Sequence, residues 1–319
     1  MKQATGAMSR LVIGFQVDAV TPATEGFVMP IKSSTLKGDR TQIPDTTIRG
    51  NLNPAEPSDG NKKVAGVITI PMDSIAMWYW LKAAYGSPTT TGSASPWVHT
   101  FKAGDPDAPR PYLTVEHQFL DLDTPQYMRY TGVKINSMNI ANMGADAELL
   151  VVLNVEGAQE TPSTTPFDAA PTIVGLSKLK NNQLTLKEGG TTISNAKSLD
   201  CNIGWNCDTD QYVIGGGGSR GAIPDGVMSV GGNLSALFQN MDLLDKATNS
   251  TKSSIEATFT GSSTSALVKK FPEVKYTPSS PGIEGPKGIV IKLPWGGFYK
   301  IAAEETSVQT VLTNTEEHA

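Results

Sequence analysis

Apolar and polar positions alternate with a period of two along much of the chain. In Tyr112-Leu113-Thr114-Val115-Glu116-His117-Gln118-Phe119, one face carries Leu113, Val115, His117 and Phe119 and the other Thr114, Glu116 and Gln118. That alternation predicts an antiparallel strand with one buried and one wet face. Residues 149–155 are apolar on both sides and predict a central strand in a covered sheet. Residues 11–17, 253–259, 288–293 and 308–312, rich in β-branched side chains, predict further strands. One stretch breaks the period. Residues 74–85 are apolar nearly all round, with Asp73 placed to cap a helix and Gly86 to stop it. Such a helix must pack on a sheet, through Ile75, Trp78 and Leu81. A shorter helix is predicted over residues 241–248, packing through Met241 and Leu244.

Between residues 21 and 63 the pattern fades. Pro22, Pro30, Pro44, Pro54 and Pro57 alternate with Gly26, Gly38, Gly50 and Gly60, which predicts a long loop reaching out of its domain. Residues 159–171 hold Pro162, Pro166 and Pro171 among Thr and Ser and read as a linker. Self-similarity then becomes visible at an offset of 166 residues, where Gly66 matches Gly232, Ile68 matches Leu234 and Met72 matches Phe238. Each copy runs a strand into a short helix and then into an extended segment, residues 98–101 in one and 255–259 in the other. Each is preceded by a glycine-bearing loop, residues 49–63 and 215–227. The fold expected is mainly β: antiparallel, sandwich- or barrel-forming sheets with one short flanking helix per repeat, in tandem. The first unit spans residues 1–160 with its loop at 21–63, and the second spans residues 161–319.

Composition narrows the chemistry. A net charge of −5 argues against a basic face that reads DNA sequence. No apolar run reaches the ~18 residues of a membrane helix. Met1-Lys2-Gln3-Ala4-Thr5 lacks an export-type apolar stretch, so folding in the cytosol is expected. Cys201 and Cys207 fit neither a zinc knuckle nor a redox pair and are expected as reduced thiols. His99, His117 and His318 have no metal-ligand spacing; His117 is expected as a packed ring and His318 lies at a frayed end. Gly215-Gly216-Gly217-Gly218 lacks the Lys-Ser or Lys-Thr of a phosphate loop and reads as a mobile loop. Glu116 and Asp121 could serve as a glycosidase pair, but nothing else marks a cleft. No enzymatic activity, metal or cofactor is expected.

Four segments then occur in a telling order. An N-terminal strand precedes a loop with Ile48-Arg49-Gly50-Asn51. The Gly66 strand enters the Asp73 helix, which ends Leu81-Lys82-Ala83-Ala84-Tyr85-Gly86. Trp97-Val98-His99-Thr100-Phe101 is followed by Pro111-Tyr112-Leu113-Thr114-Val115-Glu116. Tyr130 to Met138 leads to a strand ending Val155-Glu156-Gly157. In order and spacing the first half resembles the major tail tube proteins of long-tailed, non-contractile bacteriophages (siphophages). The second half is similar through its Gly232 strand, its Met241 helix and its strand at residues 288–293.

The resemblance implies a structural virion protein whose rings stack into a hollow tail tube, a conduit for genome ejection. The sheets would form an inner barrel, the helix would lie outside, and the long loop would reach the adjacent ring. Two fused tube domains imply trimers that imitate six-fold symmetry, with hexamers as the alternative. Implied partners are further copies of the chain, the tape measure protein, and double-stranded DNA in the lumen without sequence-specific binding. Tail terminator and tail tip proteins complete the set, with no membrane. The location implied is the virion tail, after assembly in the host cytoplasm. A lumen should not hold phosphates, so an acidic or polar wall is expected, with Thr114, Glu116, Gln118, Asp121 and Asp123 as candidates. The same residues also read as an ordinary solvated strand face. Candidates for ring stacking are Ile48, Arg49, Gly50, Asn51, Gly215 and Gly218. Lys134, Lys292 and Arg129 read as subunit salt bridges or surface charges rather than DNA contacts. A tail terminator, the inner tube of a contractile tail and a β-sandwich adhesin remain alternative readings.

Overall fold

Period-two segments become strands throughout the computed structural model, which describes residues 2–283 and 285–318. The first half holds β1 (Ser9–Gln16), β2 (Phe27–Met29), β3 (Ser33–Ser34), β4 (Lys37–Ile43), β5 (Ser58–Pro71), β6 (Thr89–Thr91), β7 (Trp97–Lys102), β8 (Tyr112–Phe119), β9 (Gln126–Met143), β10 (Leu150–Gly157) and β11 (Gln159–Ser163). Helix α1 (Met77–Tyr85) lies between β5 and β6. The second half holds β12 (Thr172–Ile173), β13 (Leu184–Glu188), β14 (Thr191–Thr192), β15 (Ala196–Gly204), β16 (Ser229–Leu237), β17 (Ser253–Ser262), β18 (Ser265–Tyr276), β19 (Val290–Gly297) and β20 (Gln309–Asn314). Helix α2 (Asp242–Thr248) follows β16. The chain is mainly β, as its patterning predicts.

One order of antiparallel pairing occurs twice. In the first half, β4 pairs with β5, β5 with β10, β10 with β9, β9 with β8, β8 with β1, and β1 with β2. In the second, β15 pairs with β16, β16 with β19, β19 with β18, β18 with β17, β17 with β13, and β13 with β14. A helix follows the same strand of the series each time. The sequence offset falls on this frame: Val155 lies opposite Gly66, and Trp295 opposite Gly232. The two glycines also share a physical reason. A Cβ on Gly66 would lie 2.4 Å from Leu36 Cα, and one on Gly232 1.9 Å from the Asp200 carbonyl oxygen. A side chain at either point would push away the strand segment that precedes it in the series. The sequence comparison matched residues 98–101 with 255–259. By pairing, β17 instead stands where β8 stands, and β6 with β7 is an insertion in the first half.

Because β9 also pairs with β15, the strands β4, β5, β10, β9, β15, β16, β19 and the end of β18 follow one another as one uninterrupted sheet. A second junction, β7 with β20, joins the halves in the other layer. The buried apolar residues of both halves form one cluster. The expected unit boundary at 160/161 lies inside β11, and residues 159–163 pair with β9 rather than acting as a linker. A single residue, Ala158, separates β10 from β11, so the chain stays on the edge of β9. Residues 21–63 are likewise not one loop. They contain β2, β3, β4 and the start of β5, and their prolines fall between those strands, where no ladder donor is lost.

Helix α1 begins three residues after the predicted start. Asp73 accepts the backbone N–H groups of Ile75 and Ala76, each at 2.6 Å, and so holds a turn ahead of the helix. Gly86, at φ +94°, donates its N–H to the Lys82 carbonyl at 2.9 Å and ends it. Tyr79 packs on Phe27 at 4.6 Å, and Tyr85 meets Trp205 edge-on at 5.7 Å. His318 is not frayed: its ring stacks on Trp78 at 4.5 Å.

Candidate functional site

The eight-strand sheet buries one face in the core and leaves the other open. On β5, β10 and β9 the open positions include Val67, Thr69, Val152, Asn154, Ser137 and Asn139. On β15, β16 and β19 they are Asp200, Asn202, Asn233, Ser235, Lys292 and Pro294. Asn154 Nδ2 donates to Ser137 Oγ at 2.7 Å, and Asn139 faces Asn202 across the junction between the halves. Lys63, Lys275 and Lys292 are scattered over this face beside Asp200, while Glu156 is taken up by Arg220, so the face is polar and rich in Asn, Ser and Thr. It offers donors and acceptors to water but no row of positive charge on which phosphates could condense.

The sheet ends at β3 and β4. Both pair with β5, and among the described residues no strand meets their outer edge. β4 is polar and almost wholly exposed, a composition that restrains indiscriminate edge pairing.

Two long loops rise from equivalent hairpins. Residues 44–57 close the β4–β5 hairpin and stand clear of the body. Asp45 accepts from the Thr47 N–H at 2.8 Å and pairs with Arg49, ordering the first turn. At the tip, Ile48 is 95% exposed and Leu52 is fully exposed. Residues 205–228, between β15 and β16, lie down on the first half instead. Arg220 is buried, and its Nη1 donates to Glu156 Oε2 at 2.9 Å, to the Gly157 carbonyl at 3.0 Å and to the Val64 carbonyl at 3.3 Å. Ile223 is fully buried. Asp225 pairs with Lys134 at 3.1 Å and with Arg110, whose guanidinium lies 4.7 Å from the centre of the Trp205 ring. Burial alone would raise the Asp225 pKa. Hydrogen bonds and charge from Arg110, together with Lys134, outweigh it and hold the carboxyl below its usual range.

The structure relocates several predicted residues. Thr114, Glu116 and Gln118 do not form a wet face; all three are buried, Glu116 at 0% exposure. Arg129 Nε donates to Glu116 Oε2 at 2.9 Å, Gln118 Nε2 to Oε1 at 3.0 Å, and the Phe167 N–H to Oε2 at 3.2 Å. Thr114 Oγ1 accepts from the Ala23 N–H at 2.8 Å. Alternation marks this face as polar, but a cover built from remote segments leaves no trace in it. Asp121 accepts from the Thr5 N–H and Oγ1, both at 2.8 Å, while Asp123 is exposed. Lys134 and Arg129 have their ion-pair partners within the chain, and Lys292 lies on the open sheet face.

Of the stacking candidates, Ile48, Arg49, Gly50 and Asn51 form the exposed hairpin tip. The Gly215 to Gly218 turn rests against the hairpin stem, where the Gly218 carbonyl accepts the Lys62 N–H at 2.8 Å. Trp78, Leu81 and Leu244 are buried, Ile75 sits in the turn before α1, and Met241 precedes α2 and is 48% exposed. His117 is half-buried and hydrogen-bonded to Ser34 Oγ at 2.8 Å, with burial lowering its pKa. Both cysteines are free, and burial pushes the Cys201 thiol up to about 11. The open-face asparagines were not anticipated. Residues 149–155 look apolar on both sides because Val152 shares the open face with Asn154, whereas the alternation Met138-Asn139-Ile140 carried the signal.

Among the described residues, no group of three or more His, Cys, Asp or Glu could hold a metal ion, and no helix is long and apolar enough to cross a membrane. A sequence model described as phage tail tube protein matches residues 6–297. No curated protein matches the chain.

Proposed function

The chain belongs to the phage tail tube protein family, and from that premise we propose that it closes into rings that stack as the conduit of a siphophage tail. The observation that carries this reading is the uninterrupted eight-strand sheet, open at its outer edge and polar on its open face. An open edge is a hazard in a monomer and a joint in a ring, since closure removes it. The repeated strand order supports two tube units per chain, approximated by residues 1–160 and 161–319, and hence three chains per ring. Eight strands from each of three chains make a twenty-four-strand barrel. At about 4.8 Å between strands it would be at least about 37 Å across, backbone to backbone, and wider with the strand tilt that closure requires, enough to pass a DNA duplex.

On this reading the wall around the genome is the row of Asn139, Asn154, Asn202 and Asn233 with its neighbours, in place of the buried Thr114, Glu116 and Gln118. Such a wall lets DNA and the tape measure protein slide, because its few lysines are scattered and make no row on which phosphates would condense. Exposed Ile48 and Leu52 supply a contact between subunits. Tail terminator and tip proteins would cap the ends, and the chain itself performs no chemistry. Negative-stain microscopy of the purified protein tests the proposal. The expected images are rings or tubes with three chains per ring and two lobes per chain. A monomer at every concentration, or six chains per ring, would overturn it.

A further inference from the structure

Two features of the first half lack the partners that their counterparts in the second half possess. The outer edge of β15 is filled by β9, with Asn202 opposite Asn139 and Ile203 opposite Met138. The counterpart of β15 is β3 with β4. Lys37 lies opposite Ala65 as Asn202 lies opposite Gly231, and these two partners match at the 166-residue offset. Lys37 therefore stands where Asn202 stands, at an edge that no strand fills among the described residues.

The missing strand can be located in the same way. Ile135 lies opposite Val155, and Tyr276 opposite Trp295. Beyond Ile135 the strand β9 runs on to Met143, because β15 is there to pair with it. Beyond Tyr276 the strand ends: the Thr277 N–H still donates to the Pro294 carbonyl at 2.8 Å, and residues 278–283 leave the sheet almost wholly exposed. Past Ile135 the strand β9 has a bulge at Asn136, so Ser137 lies opposite Asn154; Thr277 meets the corresponding Pro294 with no bulge, which puts Thr277 in the place of Ser137 and Ser279 in that of Asn139. Pro278 and Pro281 each remove a ladder donor, and their odd spacing takes one from each edge. Such a strand forms poorly without both neighbours.

A groove repeats the asymmetry. In the second half, a groove between β13 and β15 contains Met143 and Gly144, the end of β9. The corresponding groove between β1 and β3, lined by Leu11, Met29, Ser33 and Ser34, has no such insertion.

The loops give an independent sign. Arg49-Gly50-Asn51-Leu52 has the pattern of Arg220-Gly221-Ala222-Ile223. In the second loop the arginine and the apolar residue are buried on the first half, whereas Arg49 and Leu52 are exposed.

We infer that the β3–β4 edge and the 44–57 loop of one chain seat on residues 277–283 of a second copy, reproducing between chains the β9–β15 joint found within one. The inference rests on the ring reading above and adds the identity and register of the joint. The test is the double variant Lys37→Cys/Ser279→Cys, both sites being exposed, run after mild oxidation on a non-reducing gel beside each single variant. A ladder ending in a covalent trimer is expected, absent from the single variants, where Cys201 is buried and Cys207 half-buried. Leu52→Asp should leave thermal unfolding unchanged and raise the concentration for half-assembly at least tenfold. Rings seen by microscopy without cross-linking, or a cross-link within one chain, would overturn the joint and leave the ring reading standing. A protein with neither rings nor cross-links would overturn both.

Discussion

Asp73 carries a carboxyl group into the core at the entrance to α1. Burial is the largest influence and, despite hydrogen bonds from the Ile75 and Ala76 N–H groups, pushes its pKa from 3.8 up to about 7. The folded protein therefore favours the neutral form. Stability from this site is full below about pH 4, falls as pH rises toward 7, and is level above. Asp73→Asn keeps an acceptor for the turn and removes the ionisation. Its urea midpoint should gain on the wild type between pH 4 and 7, by at most about 4 kcal/mol in stability terms; a pH-independent difference would refute the assignment. His318 has the opposite sign. Burial first, then the neighbouring His99 and Lys82 charges, depress its pKa to about 4, so its contribution is present above pH 6.5 and lost as pH falls toward 4. A proton NMR titration should find its ring neutral at pH 5.5. The sequence marks Asp73 as a cap but says nothing of its burial. Glu116 shows the same blindness, since its cover comes from Arg129 and Phe167 rather than from its own strand.

Strands with an apolar face were legible at the level of elements, because side-chain alternation is a local property of the chain. β1, β8, β10, β17 and β20 lie within a few residues of their predicted places. β4 was not legible: Lys37-Gly38-Asp39-Arg40-Thr41-Gln42 presents no apolar face and so reads as a loop. Its strand character comes from pairing with β5. The loop over residues 205–228 was equally hidden, since its order depends on Arg220 reaching Glu156 and two carbonyl oxygens in the other half. Replacing Arg220 with Ala would strand those acceptors in a buried site, at a cost of about 3–5 kcal/mol. Hydrogen exchange should then rise across residues 208–226 while β9 and β10 stay protected. Equal exchange in variant and wild type would show that other contacts hold the loop.

The repeated pairing order governs the whole molecule, and the sequence showed it only as an offset between two glycines. The seams β9–β15 and β7–β20 escaped the reading because they unite segments far apart in the chain, and periodicity carries no information on which distant edge a strand will meet. The hairpin tip belongs to this scale as well. Replacing residues 45–56 with a short Gly-Ser turn should leave the melting temperature within a few degrees of the wild type, because loop closure depends only weakly on length. The same variant should fail to assemble, as read by sedimentation. Normal tubes from it would remove the tip from any role in association.

The covalent tether across the β9–β15 seam bears on how quickly an assembly can begin. A six-lobed annulus built from single-lobed subunits needs six bodies to meet, and its early intermediates dissolve at low concentration. With every second seam already made inside the polypeptide, three bodies suffice. On the ring reading proposed above, the onset of assembly should then rise with about the third power of protein concentration rather than the sixth, so a dilute pool of chains still completes rings.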